Sequence, residues 1–316
     1  METSTLVGVV LVNWNSADYT IRCLASLMSA ARVPDFMVVV DNASAEGSVA
    51  AIRNAFPLVH IIENQENYGF TGANNRGITY LQSWNVDYIW ILNNDTTVSH
   101  NCLQVLCDAL ETHDEVAAST CKIYRDDTDE LWFAGSVFRK YSFCIDHRGE
   151  GEKDRGQYDA VEYVDFLDGC CILVRSAVLR EIGLFDEHFF AYHEDVDFSF
   201  RLRNSGARLL YVPEASISHF AGASVNSNKQ ACDVTSSPMQ HFLARRNRLF
   251  IVRRYGKSYH LLMCLMVLLL NGVYISLAML LLRRFKKVDA VWCGIFHGLF
   301  DDISNIDTSP DVVPYR

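Results

Sequence analysis

Four apolar runs constrain the fold more than anything else in the chain. They are LVGVVLV at 6–12, FMVVV at 36–40, LVHII at 58–62 and YIWIL at 88–92. A strand with one wet face alternates apolar and polar residues. Runs with little alternation fit strands buried on both faces, as in a parallel sheet. Between them, residues 17–30, 47–55 and 71–83 carry helical patterning. This strand–helix order predicts a parallel sheet with right-handed crossovers. A length of 316 residues leaves room for a second unit.

Ligands of such sheets bind beyond the carboxyl ends of the strands. Each run here is followed by polar, turn-forming residues: Asn13-Trp14-Asn15, Asp41-Asn42-Ala43-Ser44, Glu63-Asn64 and Asn93-Asn94-Asp95. One such loop means little, since loops favour these residues anyway. Four on one edge, two with Asp, predict a site. The stretch GFTGANNRG at 69–77 lacks GxGxxG spacing, and no Walker A sequence is present. Its glycines are expected to let backbone approach a ligand at a helix start.

The second half changes character. Residues 116–175 read as β-rich, with the turn-rich 146–157 expected to form a flexible loop. Helices are expected at 176–182 and 194–204, and a strand at 207–212. Arg245 to Lys287 holds ten Lys or Arg and no Asp or Glu, leaving 18 basic against 38 acidic residues elsewhere. An acidic body argues against nucleic-acid binding, and a basic segment suits anionic lipid. Residues 261–282 carry no charge and as a helix would extend ~33 Å. Basic clusters flank both ends, so charge assigns no orientation. Three readings stand: an interfacial or hairpin helix on the cytoplasmic face, a single span, or a buried core helix. The N-terminus shows no charged leader or cleavage pattern. Ten scattered cysteines without CxxC suggest free thiols in a reducing, cytoplasmic setting.

Three carboxylates, Glu194, Asp195 and Asp197, lie among Phe189, Phe190, Tyr192, Phe198 and Phe200. On a helix starting near His193, Glu194 and Asp197 share a face and Asp195 points elsewhere. Acidic residues also suit a helix's first turn. The chemical alternative is a general base in an apolar cleft. Asp95, just past a buried strand, is placed either as a turn or capping residue or as a hard oxygen ligand for a divalent cation. A lone His219 is structural, or a further ligand if a carboxylate metal site shares its edge.

The ordered set VVLVNWNS, VVVVDNAS, ENYGFTGANNRG, YIWILNND, FLDGCCILVRSAVLREIGLFDEHFFAYHEDVDFSFRLRNSG and SHFAGAS resembles the family 2 inverting glycosyltransferases, in their bacterial rhamnosyltransferase-like branch. ARRNRLFIVRRYG resembles the membrane-proximal end of that branch. The resemblance implies a GT-A fold, an α/β architecture with a mixed central sheet flanked by helices. It implies a catalytic domain over 1–240, divided into a nucleotide-binding half (1–125) and an acceptor half (126–240), and a membrane-associated helical region over 241–316. Donor contacts would come from Asn13, Asn15, Asp41, Asn67, Gly72, Asn74, Asn93, Asn94 and Asp95. Asn93 stands where the family's DxD-type motif has its first Asp, so one charge is missing. Asp95 and His219 would hold Mn²⁺ or Mg²⁺. Asp195 would be the catalytic base, and Trp132, Asp168, Gly169 and Glu194 would face the acceptor. Glu194 and Asp197 would orient the loop through hydrogen bonds or ion pairs with local arginines. The implied reaction moves rhamnose from a nucleotide-sugar donor, dTDP-rhamnose, to a lipid-linked saccharide at the inner membrane face, in surface polysaccharide synthesis. Rival readings are a UDP-hexose or UDP-N-acetylhexosamine donor, and a non-catalytic nucleotide-binding subunit.

Overall fold

The computed structural model describes residues 5–220 and 236–302. The first half alternates as expected: β1 (Val7–Asn13), α1 (Ala17–Met28), β2 (Phe36–Asp41), α2 (Ser48–Ala55), β3 (His60–Glu63), α3 (Gly69–Gln82) and β4 (Tyr88–Asn93). Then come β5 (Thr96–Val98), α4 (Cys102–Thr112), β6 (Val116–Arg125), β7 (Leu131–Phe133), the hairpin β8 (Ser136–Arg139) and β9 (Cys144–His147), β10 (Glu162–Val164) and β11 (Cys171–Arg175). After α5 (Ser176–Ile182) and α6 (Glu194–Asn204), β12 (Arg208–His219) closes the sheet. Three helices follow: α7 (Pro238–Tyr255), α8 (Ser258–Leu281) and α9 (Phe285–Phe300).

The main path of the sheet is β10-β12-β6-β11-β4-β1-β2-β3. β3, β2, β1 and β4 are mutually parallel, and β11 enters antiparallel between β4 and β6. Register brings Asn13 beside Asp41, Asp41 beside Glu63, and Val12 beside Asn93. The polar loops therefore share one edge. Val7, Val9 and Leu11 pack on one face against α1 and α4 side chains, while Val10, Val38 and Val40 pack on the other against α3 and α6. β1, β2 and β4 are thus buried as their runs demanded, whereas the run at 58–62 yields only the half-exposed edge strand β3, with Leu58 exposed.

Several expectations change. The strand expected at 207–212 continues to His219. Pro213 cannot donate a ladder hydrogen bond, and the register skips from Val212 to Ser216 before pairing resumes. The polar stretch 146–157 is pinned rather than free. Leu131 N–H donates to Glu152 O at 2.8 Å, and Asp154 accepts from Lys122 Nζ (2.8 Å) and Tyr124 OH (2.6 Å).

The basic residues of α7 turn inward instead of toward lipid. Arg246 donates to the carbonyls of His188 and Phe189, Arg253 to those of Gly298 and Asp301, and Arg254 to Asp186 and Asp197. α8 is long and apolar enough to cross a membrane, yet 22% of its apolar window is buried, which removes the buried-core reading. One stripe, including Cys264, Ile275 and Met279, joins a cluster with Phe166, Phe189 and Phe200 of the sheet domain. The boundary expected at 240 falls within α7.

Candidate active site

Two adjoining cavities, about 430 and 530 Å³, open along the polar edge. Phe70, Asn93, Ala191 and Tyr192 line both, so they are lobes of one cleft. The first lobe holds Trp14, Asn42, Asn67, Asn94 and Asp95. The second holds Trp132, His147, Asp168, Gly169, Glu194, Asp195 and His219.

The first lobe is floored by loops that brace one another. Asn42 donates to Asn67 Oδ1 (2.7 Å) and Gly69 O (3.0 Å), and accepts from Asn64 and Tyr68. Asn94 donates to Ser16 (2.7 Å) and Thr20 (2.8 Å). Not every candidate faces the cleft. Asn13 is fully buried and donates to Asp41 Oδ1 at 2.6 Å, and Asp41 also accepts from Ser44 N–H at 3.0 Å. Asp41 and Asn15 line separate depressions. Asn74 donates to Phe70 O along its own helix.

Gly69 of α3 lines the first lobe, and the glycines of this helix also permit close packing. A Cβ on Gly72 would meet Tyr68 Cβ at 2.8 Å, and one on Gly77 would meet Val10 at 2.5 Å. Gly69 has φ +71°, and a Cβ added there would collide with Phe190 O. There the first lobe touches the loop leading to Asp195.

Asp95 and His219 meet at the seam of the lobes. β12 ends by pairing His219 with Thr96 of β5, and Phe220 N–H donates to Asp95 O at 2.8 Å. His219 Nε2 thus lies 3.2 Å from Asp95 Oδ1. Burial works against a charged imidazole here, but Asp95 outweighs it and raises the His219 pKa. Among the described residues, no group of three or more His, Cys, Asp or Glu side chains is arranged to enclose a metal ion. The Ala221-Gly222-Ala223-Ser224 part of the SHFAGAS motif lies outside the described residues.

The acidic cluster divides into three different carboxylates. Asp197 is fully buried and paired, accepting from Arg201 Nε (2.8 Å), Arg254 Nη1 (2.7 Å) and Tyr255 OH (2.7 Å). Glu194 is also buried but pairs with no arginine among the described residues, and its Oε2 has no hydrogen-bond partner. That corrects the expected arginine contact. Burial, then the charge of Asp195, pushes the Glu194 pKa well above the usual carboxylate range.

Asp195 accepts from the N–H of Gly169 (3.1 Å) and of Val196 (2.8 Å). Burial, then Asp168, raises its pKa to about 6. It is a carboxylate at neutral pH with appreciable basicity, which suits a general base.

The loop carrying this cluster is strained and clamped. Phe190, Tyr192 and His193 have φ of 62°, 70° and 67°, a region side chains rarely occupy. Asn247 of α7 holds it by donating to the carbonyls of Phe189 (2.9 Å), Ala191 (2.8 Å) and Tyr192 (2.7 Å). Neither Asn247 nor the cleft residues His147 and Arg248 stood out in the sequence. His147 reaches the site through the β8–β9 hairpin, where its Nε2 lies 3.5 Å from Asp168. Trp132 stacks edge-on to His219, ring centres 5.4 Å apart.

The sequence matches the family described as glycosyl transferase family 2 over residues 8–183. It is 26% identical over 238 residues to the N-acetylglucosaminyl-diphospho-decaprenol L-rhamnosyltransferase of Mycobacterium tuberculosis, covering 68% of this chain and 76% of that protein. It is 23% identical over 300 residues to the low-salt glycan biosynthesis hexosyltransferase Agl10 of Haloferax volcanii, covering 93% and 91%. The fold is similar to a crystal structure of GalNAc-T7 with UDP, GalNAc and Mn²⁺, at a TM-score of 0.62 and 16% identity, over 82% of this chain and about half (49%) of that one. The chain therefore belongs to glycosyl transferase family 2, and it is a glycosyltransferase with a GT-A fold.

Proposed function

We propose that the chain transfers rhamnose from dTDP-rhamnose to a hydroxyl of a lipid-linked saccharide, with inversion, at the cytoplasmic face of the plasma membrane in surface polysaccharide synthesis. The observation that carries this reading is Asp195, a basic carboxylate lining the cleft, flanked by Glu194, whose ionisation burial opposes, and by Asp197, which is paired with arginines. Asp195 takes the proton of the acceptor hydroxyl, whose oxygen forms the new bond to the anomeric carbon. The anomeric carbon–oxygen bond to the diphosphate breaks, and the nucleoside diphosphate leaves with that electron pair. A single displacement inverts the centre.

Asp95 and His219 supply one hard carboxylate and one imidazole side by side, a donor set that fits Mn²⁺ or Mg²⁺. The donor's phosphates and water would fill the other positions. A divalent ion held there would offset the charge gathering on the departing diphosphate. Trp132, Asp168 and Gly169 line the acceptor side, and Asn42, Asn67, Asn93 and Asn94 the donor side.

Membrane attachment is assigned to α8, lying in the plane of the interface. One stripe of α8 is packed on the sheet domain, so a spanning pose would draw that domain into hydrocarbon. The donor choice draws on the Mycobacterium relative. The Haloferax hexosyltransferase supports a second reading, a UDP-hexose donor.

Calorimetric titration of dTDP-rhamnose, UDP-glucose, UDP-galactose and UDP-N-acetylglucosamine, with and without Mn²⁺, tests both. Metal-dependent binding of dTDP-rhamnose alone is expected. Binding of a UDP-sugar instead selects the second reading, and no binding by any donor overturns both.

A further inference from the structure

We propose that Arg248 binds the phosphate that joins the acceptor saccharide to its lipid chain. The inference rests on the lipid-linked acceptor reading and deepens it. Among the described residues, Arg248 is the one Arg or Lys lining either lobe of the cleft. It lines the second lobe, with Asp195, Trp132 and Asp168, and not the lobe with Asn42, Asn67 and Asp95.

Its neighbours on α7 are engaged by protein. Arg245 donates to His241 and Asn271, Arg246 and Arg253 to carbonyls, and Arg254 to two carboxylates. Arg248 has no carboxylate partner among the described residues. Its Nη2 donates to Phe143 O at 2.8 Å and Cys144 Sγ at 3.2 Å, neither of which balances its charge. A half-buried guanidinium without a counter-charge, opening into a ligand cleft, is suited to an anion.

Which anion follows from what lies beside it. Phe143, whose carbonyl accepts from Arg248, packs in one cluster with Cys264 on the inner face of α8, and its ring centre lies 4.9 Å from that of His260 on the same helix. The opposite face of α8 is apolar and exposed, with Leu262 at 61%, Leu270 at 74% and Leu277 at 60%. The cation thus stands where the acceptor lobe meets the helix assigned to the bilayer. A ligand with a sugar at one end, an apolar chain at the other and a phosphate between them matches that order: saccharide at Asp195, phosphate at Arg248, chain along α8.

The test is equilibrium binding to the full chain in detergent, with farnesyl diphosphate, farnesol and inorganic pyrophosphate as probes. The proteins are wild type, Arg248→Gln and Arg248→Lys. Farnesyl diphosphate is expected to bind wild type more tightly than either farnesol or pyrophosphate. Arg248→Gln should weaken it by about tenfold or more, as loss of a charge-assisted contact would. Arg248→Lys should retain part of the affinity, and farnesol binding should be unchanged throughout.

Equal affinity of farnesyl diphosphate for wild type and Arg248→Gln overturns the proposal. A parallel loss of farnesol binding also overturns it, because the residue is then structural. If dTDP displaces farnesyl diphosphate and itself binds Arg248→Gln more weakly, the cation reads the donor and the proposal fails. The donor titrations above stand apart from these probes, so failure of the transferase reading is separately visible.

Discussion

Arg254 of α7 donates to Asp197 of α6 at 2.7 Å, two residues beyond the proposed base. The same guanidinium nitrogen reaches Asp186 at 2.7 Å. The helix carrying Asp195 is thereby fixed to the C-terminal helices. Asp197 is fully buried, so removing Arg254 leaves that carboxylate with Arg201 as its one remaining cation among the described residues. Arg254→Met is expected to destabilise the chain by about 3 kcal/mol, read as a lower urea midpoint. Arg203→Met, which breaks a half-exposed pair with Asp165, should cost under ~1 kcal/mol. Equal costs would refute the special place of Arg254. A chain ended at 240 loses Asn247, Arg254 and Tyr255 together and is expected not to fold.

Asp195→Asn should lower kcat by roughly 10²–10⁴, the range of a general base, with donor affinity retained. Glu194→Gln removes a charge that burial already disfavours and should keep most of the activity. If both variants lose activity alike, the base assignment is wrong. The base works deprotonated, and the pKa of Asp195 is raised to about 6. The wild-type rate should therefore fall as pH drops through about 6 and level off above it. A rate that stays flat down to pH 4 would contradict the assignment.

Asp95→Ala is expected to abolish the part of nucleotide-sugar binding that Mn²⁺ adds. Binding measured in EDTA should be unchanged, because Asn42 and Asn67 remain. His219→Ala should behave the same way, since the two side chains stand 3.2 Å apart. Titrations of the two variants with and without Mn²⁺ check both. A Mn²⁺ increment equal to wild type in either variant removes that residue from the metal site.

What the sequence disclosed, and what it hid, follows from the range of the interactions. The first half was legible because β1, β2 and β4 are largely buried and their polar ends follow directly in the chain, whereas β3 is a half-exposed edge strand. Asp95 and His219 were legible as single residues. Their meeting depends on β12 continuing past Pro213, where local propensity argues for an end. Asp197 and Asp195 look alike in sequence, and Arg254, 57 residues on, makes one structural while the other faces the cleft. The arginines of α7 read as a lipid-facing cluster because composition cannot show that carbonyls 188 and 189 wait for Arg246. Such pairings are set by tertiary packing.

Asn247 illustrates the same limit. Its amide is the clamp on three carbonyls of a loop with three left-handed residues. Asn247→Ala takes the amide donor from the carbonyls of Ala191 and Tyr192, while Phe189 O keeps Arg246 and the N–H of Ala191, at about 1–3 kcal/mol for an unsatisfied buried group. Residues 190–193 line the cleft, so kcat/KM should fall for both substrates. Hydrogen–deuterium exchange should rise over the loop and stay constant in β1 and β4. Unchanged exchange there would show that the strain is held by other contacts.

The apolar face of α8 provides the last test. Leu262, Met266, Leu270, Val273 and Leu277 recur at helical spacing and are all at least half exposed, while Cys264, Ile275 and Met279 face inward. Such a face in water would be an aggregation liability, and in a bilayer interface it is satisfied. Lys257 before it and Arg283, Arg284 and Lys286 after it are exposed, and near anionic lipid each would contribute about 1 kcal/mol. Full-length protein should cosediment with phosphatidylglycerol vesicles. Leu270→Glu with Leu277→Glu should abolish this without lowering stability much, because both side chains are already exposed. Salt separates the two contributions. At 1 M the screening length falls to about 3 Å, so the part owed to the basic residues should vanish and the apolar part should persist. Binding lost entirely in salt would make the attachment electrostatic alone. Binding unaffected by the double substitution would take α8 out of the interface and remove the lipid chain's path from Arg248.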